Sequence, residues 1–289
     1  MPTPLIHPNW ARDPERITEG YSLEITAKDV EALRAAAPGI PAETPVAVTW
    51  LPGEAMPERI AAARAVRDLG FEPMPHFSAR RIASEAEFRE YLAAVVAEAD
   101  VRRCFVVAGD PPVPEGPFAD SSALIATGAF EASGIRAIGI GGHPEGHPVM
   151  SPEQCWQVLH TKIADITARG MAPLIVTQFG FDPDAVLDWL RDLRARGIEA
   201  PVRIGVPGPA GIKTLLRFAA RCGVGASASV MKKYGVSLAG LLGNAGPDAM
   251  VDAIAGRLGA EHGRMRLHFY PFCGIGKTVG WIEGYDQKR

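Results

Sequence analysis

Eight short apolar runs, separated by stretches of helical period, constrain this chain more than any other feature. They cover residues 21–27, 45–51, 72–78, 103–108, 135–141, 173–179, 201–206 and 265–272. Most are apolar throughout and do not alternate with polar residues, the pattern of parallel strands covered on both faces. The intervening segments carry apolar residues at helical spacing. In 57–69, Ala62, Ala65, Val66 and Leu69 fall on one side. Segments 84–99, 121–132, 151–169, 182–196 and 210–222 read the same way, and a longer helical tract, 236–258, precedes the last strand. Start signals agree: Ser84 with Glu87 three residues on, and Ser151 followed by Pro152. Gly70, Gly134, Gly170 and Gly197 stand just past helical runs, where C-terminal glycines belong. Eight strands interleaved with helices predict a (β/α)8 barrel, a TIM barrel in one domain over residues 21–289. An open doubly wound sheet is the alternative. Residues 1–20, rich in proline and charge, read as a loosely held N-terminal arm.

The composition removes several function classes. The chain is 47% hydrophobic and 22% charged with a net charge of −3, so it has no basic field for nucleic acid and no polybasic membrane patch. Its four cysteines show no CxxC spacing, and Cys104 and Cys273 lie in apolar runs, which predicts reduced, mostly buried thiols. There is no basic segment followed by an apolar core at the N-terminus, and no run long enough to span a bilayer. A cytoplasmic protein is the expectation.

In parallel barrels, ligands bind at the carboxyl ends of the strands. Here those ends are unusually polar. Glu24 lies between Leu23 and Ile25, where an unpaired carboxylate costs several kcal/mol or has its pKa raised. It is either a tuned acid aimed into the barrel or the partner of a neighbouring basic group. The second run ends in Val48-Thr49-Trp50, and the third carries Pro75-His76. The fourth exits through Gly109-Asp110-Pro111, either a close-approach loop or a plain turn. After the fifth come His143, Glu145 and His147, whose spacing invites a metal reading but matches neither a helical H-E-x-x-H nor a finger. The sixth gives Gln178 flanked by Phe179 and Phe181, an amide and rings suited to a planar heterocycle. Two motifs mislead: Cys273–Thr278 ends like a P-loop but has Pro271 where a glycine is required, and Gly139–His143 lacks the third glycine of a dinucleotide fingerprint. No Ser/His/Asp signature stands out.

Taken in order, these ends resemble the methylenetetrahydrofolate reductases, from about Tyr21 to Tyr270. Glu24 resembles the family's first-strand glutamate, Thr49 its second-strand threonine and His76 its third-strand histidine. Gly109-Asp110 is similar to its Arg-Gly-Asp. Pro144–Pro148 resembles its Pro-Glu-x-His-Pro, Thr177–Asp182 its Thr-Gln-Phe-Phe-Phe-Asp, and His268-Phe-Tyr270 its last strand. The resemblance implies a barrel that binds FAD and interconverts 5,10-methylenetetrahydrofolate and 5-methyltetrahydrofolate with NAD(P)H as co-substrate. By that likeness Glu24 would be the general acid and Asp110 would tune pterin and flavin. Gln178 and Phe179 would bind the pterin, with Glu24 and Asp110 also facing it. Thr49, His76, Ala108, Gly109, Asp110, Ser121, His143 and His147 would line the flavin. A homo-oligomer is common in the family.

The chain also departs from the family. The arginine before Gly-Asp is Ala108, and the tyrosine before Pro-Glu is His143. Ser121 and Ala123 replace an alanine and an aspartate. A helical lysine becomes Ile166, with Lys162 one turn earlier, and a basic residue after the last strand becomes Gly274, with Lys277 nearby. Two further readings follow from these losses. One is direct hydride transfer from NAD(P)H to the folate without flavin. The other is a non-catalytic folate- or pterin-binding subunit.

Overall fold

The computed structural model describes residues 14–222, 224 and 246–288. Eight parallel strands close into a barrel in sequence order. They are β1 (Ser22–Ile25), β2 (Pro45–Val48), β3 (Glu72–Ser78), β4 (Arg103–Val107), β5 (Ala137–Gly142), β6 (Ala172–Phe179), β7 (Val202–Pro207) and β8 (Met265–Tyr270). Pairing of β1 with both β2 and β8 completes the ring. The expected (β/α)8 barrel is therefore present, and each strand agrees with its apolar run to within a few residues.

The outer layer contains α1 (Val30–Ala36), α2 (Met56–Asp68), α3 (Glu85–Ala99), α4 (Ser121–Ala126), α5 (Ala129–Ala132), α6 (Pro152–Ala168) and α7 (Pro183–Ala195). It continues with α8 (Ile212–Cys222), α9 (Asp248–Ala255) and α10 (Ile275–Asp286). Ser84 and Ser151 cap α3 and α6 as expected, each accepting a backbone N–H. The four glycines expected to stop helices all have positive φ. Three details differ from the sequence reading. The segment 121–132 forms two short helices broken at Gly128. Helix α1 is not signalled by the sequence, because its seven residues give too few turns for a periodic pattern. Helix α10 is also hidden: its three internal glycines and the P-loop-like Gly-Ile-Gly-Lys-Thr mask the helical pattern. Residues 1–13 of the expected arm lie outside the described residues, as do 236–245 of the long tract, including Leu241 and Leu242. The described part of the arm is docked: Thr18 is buried, its hydroxyl bonds Asp286 of α10, and Arg16 pairs with the same carboxylate at 3.5 Å.

Strand register explains why the runs read as apolar on both faces. One set of side chains packs outward against the helices in the main core. The other set points into the barrel, where Ala47, Met74, Phe105, Leu174 and Val176 form a separate inner cluster. Below it Glu72 binds Arg67 at 2.7 Å and also Arg103. Arg203 and Arg266 are buried neighbours on β7 and β8, and burial with the adjacent arginines pulls the Arg203 guanidinium down to about 9. Ions thus sit at the amino ends, a packed apolar plug fills the middle, and the carboxyl ends are left for a ligand.

Gly205 is where this packing is tightest. A β-carbon there would lie 2.5 Å from the Thr177 carbonyl oxygen and 2.7 Å from the Phe179 nitrogen, against the irregular stretch of β6. Backbone cannot yield as a flexible side chain can, so Gly205→Ala is expected to destabilise by about 2 kcal/mol or more, lowering Tm by roughly 4 °C. Gly280→Ala, inside α10 with open space around it, should be neutral or slightly stabilising. Calorimetry on the pair checks this, and equal Tm values would refute the steric account.

Candidate active site

Period-two alternation aims Ser22 and Glu24 of β1 and His268 and Tyr270 of β8 into the same barrel mouth. Ser22 pairs in register with His268. The Ser22 hydroxyl lies 2.8 Å from His268 Nδ1, which turns the other ring nitrogen toward Glu24. The Glu24 carboxylate then stands 3.7 Å from His268 Nε2 and 3.5 Å from His76 Nε2 of β3. Both imidazole nitrogens are buried and have no hydrogen-bond partner, and the same holds for the Thr49 hydroxyl at the end of β2. Burial holds His76 down to about 4, against the pull of Glu24, so its ring is neutral at pH 7. Phe105 packs edge-on against it, the ring centres 4.7 Å apart. Tyr270 stands edge-on to His268 and donates its hydroxyl to the Thr177 carbonyl at 3.0 Å. Glu24 and His76 are legible as candidates in the sequence. Ser22 and His268 are not singled out there as individual site residues, although their i, i+2 spacing to Glu24 and Tyr270 is the signal that could find them.

A second cluster joins the exits of β5 and β6. Glu145 Oε1 accepts the backbone N–H groups of Phe181 at 2.5 Å and Asp182 at 2.8 Å, pinning one loop to the other. Burial raises the Glu145 pKa, while those two hydrogen bonds pull it back. Its flanking histidines stack edge-to-face with centres 4.7 Å apart. Burial, His147 and Lys162 hold His143 down to about 4. Lys162 of α6 is itself lowered by burial and faces Asp120, the opposing charge. Gln178 directs its Oε1 to the Phe179 N–H at 3.0 Å, which leaves its NH2 to reach a ligand. His143, Glu145, His147, Gln178 and Cys222 line a recess of about 110 Å3. That is smaller than the ~300–1,000 Å3 of a whole small-molecule site.

Three expected site residues are placed differently. The family likeness has Asp110 facing the ligand, but its carboxylate is two-thirds exposed and is bound by Arg81 at 2.5 and 2.9 Å. The reason is local: Arg81 follows β3 and reaches over the β4 exit, where it also lies 3.8 Å from Glu115. Phe179, expected to stack on a heterocycle, has its ring buried against Phe181, Tyr270 and Phe272 beneath α8. Ala108 offers only its carbonyl, which accepts the Arg80 N–H at 2.8 Å. Gly109 turns the chain at φ 92° against the Ser78 side chain. Ser121, the first residue of α4, is buried with its hydroxyl unpartnered.

A closed (β/α)8 barrel with a histidine-flanked carboxylate and orphaned polar atoms at its carboxyl mouth places the protein in the TIM-barrel class, with its candidate site where such barrels bind ligands. The family model described as methylenetetrahydrofolate reductase matches residues 27–272, and the chain belongs to that family. Among solved structures it is similar to a Clostridium thermocellum protein described as binding two copies of 5-methyl-5,6,7,8-tetrahydrofolic acid. That likeness has a TM-score of 0.64 and 12% identity, covering 94% of this chain and 97% of the other. It is also similar to dihydropteroate synthase from Thermus thermophilus, with a TM-score of 0.50 and 13% identity over 95% of each chain. At these identities the two structures bear on the fold. Among the described residues no helix is long and apolar enough to cross a membrane.

Proposed function

We propose that the mouth binds the pterin of a reduced folate and that the protein interconverts 5,10-methylenetetrahydrofolate and 5-methyltetrahydrofolate, with NAD(P)H as the hydride source. The observation that carries this reading is Glu24, a carboxylate between two buried imidazole nitrogens that have no other partner. Family membership and the folate-binding Clostridium structure support it.

The chemistry asks for a proton at one atom and a hydride at another. Protonation of N10 breaks its bond to the bridging carbon and leaves an iminium on N5; hydride addition to that carbon yields the methyl group. Glu24, acting as the carboxylic acid and left as the carboxylate, supplies the proton, a general-acid step of the kind worth roughly 10²- to 10⁴-fold in rate. His76, kept neutral, adds no competing positive charge beside the developing iminium. Ser22 fixes the His268 ring so that its Nε2 stays aimed at Glu24. The free NH2 of Gln178 is a donor for the acceptor edge of the pterin. Thr49 and Ser121 hold buried hydroxyls ready for polar partners.

FAD is implied by the family likeness. The hydroxyls of Thr49 and Ser121 suit the polar edge of a flavin ring, but among the described residues the diphosphate finds no comparable cations. Arg80 is engaged by the carbonyls of Ala119 and Pro111, and Arg81 by Asp110 and Glu115. Ile166 is fully buried. The residues do not fit the dinucleotide, and the proton and hydride steps do not pass through it. The function is tested by titrating 5-methyltetrahydrofolate calorimetrically, then following NAD(P)H oxidation with 5,10-methylenetetrahydrofolate. Saturable binding with turnover is expected; absence of folate binding would overturn the reading.

A further inference from the structure

We infer that this protein holds no resident flavin dinucleotide and passes hydride directly between the nicotinamide of NAD(P)H and the folate, an inference that rests on the function proposed above. A resident cofactor must bind at roughly nanomolar Kd, whereas a co-substrate needs only about micromolar to millimolar affinity. That difference of several decades is ordinarily supplied by fixed cations and helix N-termini directed at the diphosphate. Here the exits of β4, β5 and β6 have their receptors filled from within the chain.

The N-terminus of α4 is taken by Asp120, which accepts the N–H groups of Ser122 at 2.8 Å and Ala123 at 3.1 Å. Asp182 likewise occupies the start of α7, accepting from Asp184 and Ala185. Glu145 claims the Phe181 and Asp182 amides just before that helix. Both arginines of the β3 exit are also engaged: Arg80 clasps two carbonyls and Arg81 two carboxylates. A diphosphate arriving there meets three carboxylates already seated on the amides that would otherwise bind it. Lys162 is the remaining cation beside the β5 exit among the described residues. Its charge is countered by Asp120, and His143 and His147 next to it are held toward neutrality. One such lysine does not replace a set of fixed cations.

The direct step balances without flavin. Glu24 gives a proton to N10 as the N10–methylene bond breaks. The dihydronicotinamide then delivers hydride to the iminium carbon, so NAD(P)H is oxidised to NAD(P)⁺ and the folate is reduced to the 5-methyl form. Two measurements on the full-length protein test this. First, FAD is titrated into protein purified without added flavin, with 5-methyltetrahydrofolate titrated in parallel. The expected result is no flavin absorbance near ~450 nm and FAD affinity no better than about 10 μM. FAD co-purifying at close to one per chain, or nanomolar binding, would overturn the inference. Second, NADH carrying deuterium at both C4 positions is supplied with 5,10-methylenetetrahydrofolate. Direct transfer places one deuterium in the product methyl group. A flavin route loses the label to water through the exchangeable N5–H, and FAD-dependent turnover with that loss refutes direct transfer. If neither folate nor FAD binds, the proposed function fails while the absence of flavin stands. If both bind tightly, the function survives and this inference falls.

Discussion

Glu24→Gln is expected to lower kcat by 10²- to 10⁴-fold while leaving the dissociation constant of 5-methyltetrahydrofolate within a few-fold of wild type. Glutamine keeps the size and hydrogen-bonding reach of the carboxylate between His76 and His268, so packing and ligand contact persist. What it removes is the transferable proton, which matters only as the N10–methylene bond breaks. Stopped-flow oxidation of NAD(P)H with 5,10-methylenetetrahydrofolate, together with calorimetric folate binding, separates the two quantities. Unchanged turnover would remove Glu24 as the acid and put the proton source elsewhere. Loss of folate binding with an intact fold would make Glu24 a binding residue instead.

The second large effect is on stability in acid. His76 and His143 are both held at about 4, below the ordinary histidine value of 6.5, chiefly because burial disfavours their charged forms. Between those values the unfolded chain binds more protons than the folded one, so stability falls as pH falls. The contribution is fully present above about pH 6.5 and is lost on the way down to about pH 4. Each histidine should cost about 2 kcal/mol by pH 5 and on the order of 3 kcal/mol by pH 4, somewhat less for the partly exposed His143. Glu145, raised by burial, works in the opposite sense and offsets part of the loss. Urea titrations at pH 7 and pH 5 read the change directly, and His76→Gln should flatten its share of the slope. Equal midpoints at the two pH values would show that neither ring is kept neutral by the fold.

Much of this molecule is legible in the linear chain because its signals are local. Apolar runs of six to eight residues, N-cap serines and C-terminal glycines are set by backbone geometry and water, and they locate eight strands and most of the helices. Glu24 stands out for the same reason: a carboxylate inside an apolar strand is conspicuous wherever the strand ends up. Helix α1 is too short to show a period, and α10 is obscured by its glycines.

Partnership is not legible. Ser22 and His268 are 246 residues apart and meet only because β8 closes the barrel against β1. Asp110 reads as a ligand-facing acid until Arg81, carried in on the neighbouring strand exit, turns it outward. Phe179 reads as a stacking ring until α8 and the end of β8 cover it. The sequence by itself determined the barrel and the residue types delivered to its mouth, since period and burial are properties of consecutive residues. The tertiary structure alone decided which charges neutralise each other and which remain for a ligand, since ion pairing and desolvation depend on distance in space.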